Sequence, residues 1–315
     1  MRRFDLTERW AYWDALTDRW HGRDGEAVRE LYRTADAIFN LCGATKLRDE
    51  HRQGAKLCYV ETDPIYEQMR VANGEEDSIG FLGSHDVLFT YGELLGTPSC
   101  RVPVERFTWI PTRPPVVLDL WHPGTEGRAF TSIATWENKG KNVAFRGETY
   151  YWSKHVNFVK MIDVPVRAAS ASSSRWIPAT PPSAPSSRRM GGRSSTRVRS
   201  PPTSMPIAAT SSARAASSRW RRTSTSGRAA WWFSDRSVCF LAAGKPVITQ
   251  ETGFSELVPS GEGLLAFATP DEAVAAVRTV AGDWPRHARA ARRIAEDHFA
   301  ADTVIGAMLD AAGLR

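Results

Sequence analysis

Cysteine is scarce in this chain of 315 residues. Cys42, Cys58, Cys100 and Cys239 are so widely spaced that they form neither a disulfide framework nor a zinc pattern, and the compartment they imply is a reducing cytoplasm. No run of 18 apolar residues occurs, and the opening MRRFDLTERW lacks the apolar centre of a signal peptide. A soluble protein is expected, with peripheral membrane contact left open. No Gly-x-Gly-x-x-Gly follows a candidate strand, which argues against a Rossmann dehydrogenase. Acidic residues and lysine are absent from one long stretch: between Asp163 and Asp235 there are twelve Arg and no Asp, Glu or Lys. Taking those twelve from a formal charge of +6 leaves −6 on the remainder, so no nucleic-acid footprint spreads over the fold and no specific nucleic acid is expected as partner.

What is present suits a globular α/β protein. Apolar residues make up 42% and twelve Trp occur, enough core for two domains at this length. Thr7 to Trp20 reads as an amphipathic helix, because Trp10, Trp13, Leu16 and Trp20 recur at helical spacing. A helix over Glu26 to Arg33 then leads to Ala37-Ile38-Phe39-Asn40-Leu41-Cys42, a buried strand ending at Gly43. Further strands are predicted at Leu57 to Val60, closed by Glu61-Thr62-Asp63-Pro64, and at Val87 to Tyr91, followed by Gly92-Glu93. Strands separated by helical patterns imply a parallel sheet, with Asp63, His85, Gly92 and Glu93 at strand carboxyl ends. Val116-Val117-Leu118 inside a Pro-rich crossover and Ala129 to Ala134 complete the strand candidates of the first half.

The second half turns on FSDRSVCFLAAGKPVITQETGFSE, Phe233 to Glu256. Ser234 caps a short helix, Gly244 ends it, Pro246 to Thr249 forms a buried strand, and Thr252-Gly253-Phe254-Ser255 turns the backbone sharply. A Gly-containing loop at a strand's carboxyl end presents N–H groups to an anion. Farther on, Thr269 is an N-cap with Pro270 at the first helical position and Glu272 completing a capping box. Arg286, Arg289, Arg292 and Arg293 form a solvated face on the next helix, and Asp302 to Ala312 packs Val304, Ile305, Met308 and Leu309.

The ordered parts Ala243-Gly244-Lys245-Pro246-Val247, Thr252-Gly253-Phe254, Gly261-Glu262-Gly263-Leu264-Leu265 and the helix from Asp271 resemble the carboxyl-terminal half of bacterial nucleotide-sugar-dependent glycosyltransferases of the two-Rossmann-domain (GT-B) type. The resemblance implies a hexosyltransferase-type enzyme whose co-substrate is a nucleotide-diphosphate sugar, with no cofactor and no metal. It places the donor diphosphate against the N–H groups of Thr252, Gly253 and Phe254, and ribose or sugar hydroxyls near Asp235, Arg236 and Ser237. A basic residue reaching the diphosphate is matched by Lys154, beside His155. An inverting reaction needs a general base on the acceptor side, where His85, Asp63 and Glu93 are the candidates; each also has a structural reading, Asp63 before Pro64 as the close of a turn. One departure stands out. Where retaining members of this superfamily often carry paired glutamates, this chain has Trp231 and Cys239.

The expected organisation is an incomplete amino-terminal, acceptor-side Rossmann-like domain at 1–122 and the start of a donor domain at 123–163. A low-complexity segment at 164–230 precedes the rest of the donor domain at 231–315. The chain opens on a charged helix instead of a strand and Gly-rich turn, which reads as loss of the first strands. Of the 67 residues in 164–230, 55 are Ser, Arg, Ala, Pro or Thr, too few apolar groups to offset the entropy of ordering. Disorder is expected there, and translation of a GC-rich sequence in the wrong frame explains the composition better than a linker or a basic tail. Two other functions compete with transfer of a sugar to an unknown acceptor: a non-catalytic nucleotide- or sugar-binding remnant, and an Arg-rich nucleic-acid-binding protein.

Overall fold

The structure is a computed structural model that describes residues 4–104, 106–123, 129–132, 142–150, 159–169, 175–178, 211–213 and 232–315. Its first element corrects the sequence reading. The predicted helix over Thr7 to Trp20 is a hairpin of β1 (Ala11–Asp14) and β2 (Arg19–Gly22), in which Trp13 and Trp20 stand opposite each other with ring centroids 6.3 Å apart. The turn chemistry decides against the helix. Asp14 accepts hydrogen bonds from Leu16 N at 3.0 Å and Thr17 Oγ1 at 2.6 Å, folding the chain back before a helical turn can form.

The chain continues through α1 (Gly25–Thr34), β3 (Ala37–Leu41), β4 (Lys56–Glu61), α2 (Tyr66–Ala72), α3 (Glu76–Gly83), β5 (Val87–Thr90) and β6 (Ile110–Pro111). Strands β3 to β6 form one parallel sheet in sequence order. Pleating sends Cys58 and Val60 to one face and Tyr59 to the other, where it packs with Leu82 and Leu88. Val116 to Leu118 does not extend this sheet. Val116 makes one bridge with Ala300, accepting from Ala301 N at 3.0 Å and donating to Phe299 O at 2.8 Å, before a 3-10 turn over Leu118–Leu120. The preceding Pro114-Pro115 pair, which lacks ladder N–H groups, explains the difference.

The next elements are β7 (Ala129–Ser132), the hairpin β8 (Val143–Phe145) and β9 (Glu148–Tyr150), α4 (Val164–Ala169), β10 (Arg175–Pro178) and β11 (Ser211–Ala213). They are followed by α5 (Asp235–Ala242), β12 (Val247–Gln250), β13 (Leu264–Phe267), α6 (Pro270–Gly282), α7 (Trp284–Phe299) and α8 (Ala301–Ala311). A second parallel sheet runs β10-β7-β11-β12-β13. Helices cover both its faces: α5 and α7 bury Val238, Leu241 and Ile294 on one, while α4 and α6 bury Val164, Val274 and Val277 on the other. Composition assigned Val164 to Ala169 to the low-complexity segment, yet this stretch is a helix in that core. The expectations of disorder and of a shifted frame otherwise fall largely outside the described residues.

Among the described residues, several contacts join the halves of the chain. Helix α8 returns to the first sheet, packing Val304 and Met308 against Cys58, Val60 and Phe89, with Lys56 Nζ donating to Ala312 O at 2.5 Å. Arg292, expected on a solvated face, instead donates to Trp121 O at 2.7 Å and Ala242 O at 2.6 Å, pinning the crossover to the end of α5. Arg286, Arg289 and Arg293 are exposed as expected. No helix among the described residues is long and apolar enough to cross a membrane.

Candidate functional site

The carboxyl ends of the two parallel sheets meet at Trp232. Its indole Nε1 donates to Thr62 O, just past β4, at 2.7 Å, and its own carbonyl accepts from Thr252 Oγ1, just past β12, at 2.7 Å. The ring is buried with Tyr91, Cys58 and Val60. Around this bridge lie the ends of β3, β4 and β5 on one side, and the loop after β12 with the start of α5 on the other. Parallel sheets bind ligands at such ends, because side chains and free N–H groups converge there.

On the first sheet the central feature is a buried carboxyl. Glu61 ends β4 and is 1% exposed; its Oε2 accepts from Thr90 Oγ1 at 2.6 Å and Gln68 Nε2 at 2.8 Å, and its Oε1 has no partner among the described residues. Burial pushes its pKa up to about 8, against the pull of those two hydrogen bonds, so the group is largely protonated at neutral pH. The loop beyond it is held under strain. Ile65 has φ 89, and its N–H donates to Gln68 Oε1 at 2.5 Å. A β-branched residue reaches that conformation only where surrounding structure imposes it, and such residues gather at functional loops.

The sequence candidates separate once placed. Asp63 lies half-buried in this loop, one residue from the Trp232 contact. His85 stands ahead of β5, at its amino end instead of its carboxyl end, in the three-residue link between α3 and the strand. Its Nε2 lies 3.1 Å from Asn40 Nδ2 and its Nδ1 lies 2.9 Å from Phe81 O, a pattern that fits the Nδ1–H tautomer. Burial lowers its basicity, keeping the ring neutral. Glu93 is at the carboxyl end of β5, and a two-pronged ion pair at 2.6 and 3.0 Å holds it to Arg113, which also contacts His298. Its burial raises its pKa against that pairing.

On the second sheet, Gly253 has φ 96, a left-handed conformation suited to glycine, and its N–H donates to Glu251 Oε1 at 2.5 Å. One of the N–H groups expected to meet a diphosphate is thus occupied by a carboxylate of the chain itself. Phe254 is a core residue, fully buried against Phe233, and contributes only backbone to the loop. Asp235 begins α5, exposed, and its charge, after burial, raises the pKa of the Tyr91 hydroxyl across the cleft. Arg236 follows half-exposed, and its N–H donates to Asp235 Oδ1 at 2.7 Å. Ser234 holds the N-cap position but makes no capping bond, its Oγ donating to Asp235 Oδ1 at 3.3 Å. Ser237 is buried inside α5 and its Oγ has no partner among the described residues, so it faces away from solvent. Lys154 lies outside the described residues. No group of three or more His, Cys, Asp or Glu among the described residues is arranged to hold a metal ion.

The site and its setting therefore define a Rossmann-like parallel α/β protein with strand ends of two sheets facing each other. No family model matches the chain, and no curated protein matches it. Among solved structures its fold is similar to that of Alr3699/HepE from Anabaena in complex with UDP and glucose. The TM-score is 0.51 at 10% identity, covering 91% of this chain and 80% of that one. A structure of the same Anabaena protein in complex with UDP-glucose aligns with a TM-score of 0.46 at 11% identity, covering 91% and 81%. At this identity the likeness is one of fold.

Proposed function

We propose that the chain binds a nucleotide-diphosphate sugar in the cleft between its sheets and transfers the sugar to an acceptor, as a GT-B-type glycosyltransferase does. The observation that carries this reading is the Trp232 bridge, which brings the carboxyl end of β4 against the loop after β12. Fold similarity to a protein solved with UDP and glucose supports it. In this reading 1–122 forms the acceptor side, and 123–163 with 231–315 the donor side. The diphosphate lies against the loop from Thr252 to Phe254, and Asp235 and Arg236 face the nucleoside or sugar. Backbone N–H groups at that loop stabilise charge on the departing diphosphate.

Asp63 is the base this reading favours. Asp63 sits on the strained loop beside the bridge, at the carboxyl end of β4, where His85 does not reach. In the step, Asp63 takes the proton of an acceptor hydroxyl while that oxygen bonds to the anomeric carbon; the bond from this carbon to the diphosphate breaks, releasing a nucleoside diphosphate. Asp63→Asn is expected to lower transfer at least about a hundredfold and to leave UDP affinity within about twofold. A parallel loss of UDP affinity would make Asp63 a donor contact instead of the base.

Titration calorimetry with UDP tests the site itself. Gly253→Val, which loses a left-handed glycine and blocks close approach, is expected to weaken UDP at least about tenfold. Glu251→Gln is expected to tighten UDP by about threefold or more, because the diphosphate then displaces a neutral group from the Gly253 N–H. Absence of UDP binding by the folded chain, or indifference to both changes, removes the loop from the site.

A further inference from the structure

The structure holds a cavity of about 200 Å³ between α2, α3 and the segment leading into β6, with Trp232 not among its lining residues. Its walls are apolar: Val71 of α2, Leu82 of α3, and Phe107 and Trp109 of that segment. Two polar groups interrupt them, Gln68 and Arg106, and Arg106 is the one charged side chain in the lining among the described residues. At about 30 Å³ per water, that space amounts to about seven waters, room for an aromatic ring with a short arm.

The chemistry of the lining selects the occupant. Sugar and nucleoside hydroxyls would lose hydrogen bonds against Leu82, Phe107 and Trp109 and gain few in return. An apolar body loses nothing there and gains the burial. Trp109 is braced from behind by Tyr59 with ring centroids 6.3 Å apart, so the aromatic wall is fixed. Arg106, exposed at the rim, offers a guanidinium fork suited to a carboxylate. The floor is equally rigid, since Gln68 is 2% exposed, with its amide held by Ile65 N at 2.5 Å and Glu61 Oε2 at 2.8 Å.

We infer that this cavity binds a small apolar monocarboxylic acid, its hydrocarbon body against Leu82, Phe107 and Trp109 and its carboxylate on Arg106. Because Gln68 also fixes Ile65, an occupant rests on the residue that shapes the loop at the end of β4. The proposal is independent of sugar transfer and concerns a second site.

Phenylacetate and its neutral isostere phenylacetamide are the probes, titrated by calorimetry into the full chain. Phenylacetate is expected to bind one per chain, with phenylacetamide at least tenfold weaker. Arg106→Gln should remove that tenfold preference and leave amide affinity unchanged, while Val71→Trp should abolish binding of both by filling the cavity. Ala72→Phe, at an exposed position of the same lining, serves as the second filling variant should Val71→Trp unfold. No phenylacetate binding by the folded chain, equal affinity for acid and amide, or binding that the filling variants leave intact would each overturn the assignment.

Discussion

Raising the pH from about 5 to about 9 is expected to weaken the native state through Glu61 by on the order of 4 kcal/mol, and Glu61→Gln is expected to remove that loss. The carboxyl is 1% exposed, its Oε1 has no partner among the described residues, and the charges of Glu67 and Asp63 oppose its ionisation. The native state therefore keeps this proton up to about pH 8, while the unfolded chain releases it near the ordinary value of 4.5. Between those values the native state binds more protons, so stability is fully present below the lower one and falls as pH rises toward the upper. Histidines that are buried or half-buried act in the opposite sense. His51, His85, His287 and His298 are all held below the ordinary value of 6.5, chiefly by burial, and gain stability as pH rises through it. Subtracting variant from wild type cancels those histidines. Urea unfolding at several pH values should then give a difference that grows from acid to alkaline pH; parallel curves would mean that Glu61 ionises normally in the native state.

Gly263→Ala is expected to cost about 4 kcal/mol of stability, whatever the protein binds. At φ 72 the new side chain would be strained, and its Cβ would stand 2.2 Å from Ala291 N and 2.6 Å from Ala290 C. Those are backbone atoms in the middle of α7, which cannot yield without moving the helix off β13. The same residue is tied in on both sides, donating to His287 Nδ1 at 3.1 Å and accepting from Val247 N at 2.8 Å. Gly261, two residues earlier, provides the contrast. Its φ is 105 but a Cβ there meets nothing within 4 Å, so Gly261→Ala should cost only the backbone strain, about 1 to 2 kcal/mol. Urea midpoints for the two variants separate close packing from conformation, and equal losses would show that packing contributes nothing.

Much of the parallel architecture was legible because its strands are short apolar, β-branched runs that need no partner to declare themselves. Val247 to Thr249 and Val87 to Phe89 fall where they were expected, and the Thr269 capping box forms as its spacing predicts. The amino-terminal hairpin was misread because Trp13 and Trp20, seven residues apart, fit one helix face as well as one cross-strand pair. Only the Asp14 turn tells these apart. In the candidate site, Asp63, Asp235 and Gly253 lie at element ends, where local pattern reaches. Glu61 and Gln68 were missed, since burial of a carboxyl depends on what other segments bring over it. The only local signal was an acidic residue ending an apolar strand. Trp232 was missed for a related reason: its two hydrogen bonds go to residues 170 positions upstream and 20 downstream.

The return of α8 to the first sheet also sets a timetable. The Lys56 hydrogen bond to Ala312 spans 256 positions, and the apolar face of Cys58, Val60 and Phe89 waits for Val304 and Met308 to cover it. At about 5 to 20 residues per second, synthesis leaves that face open for roughly 10 to 50 s after β4 has emerged. A nascent chain at this stage offers a chaperone an uncovered parallel sheet, and folding that depends on so distant a closure is slow. Deleting α8 should therefore appear first as aggregation of newly made protein, with the first sheet as the segment that sticks.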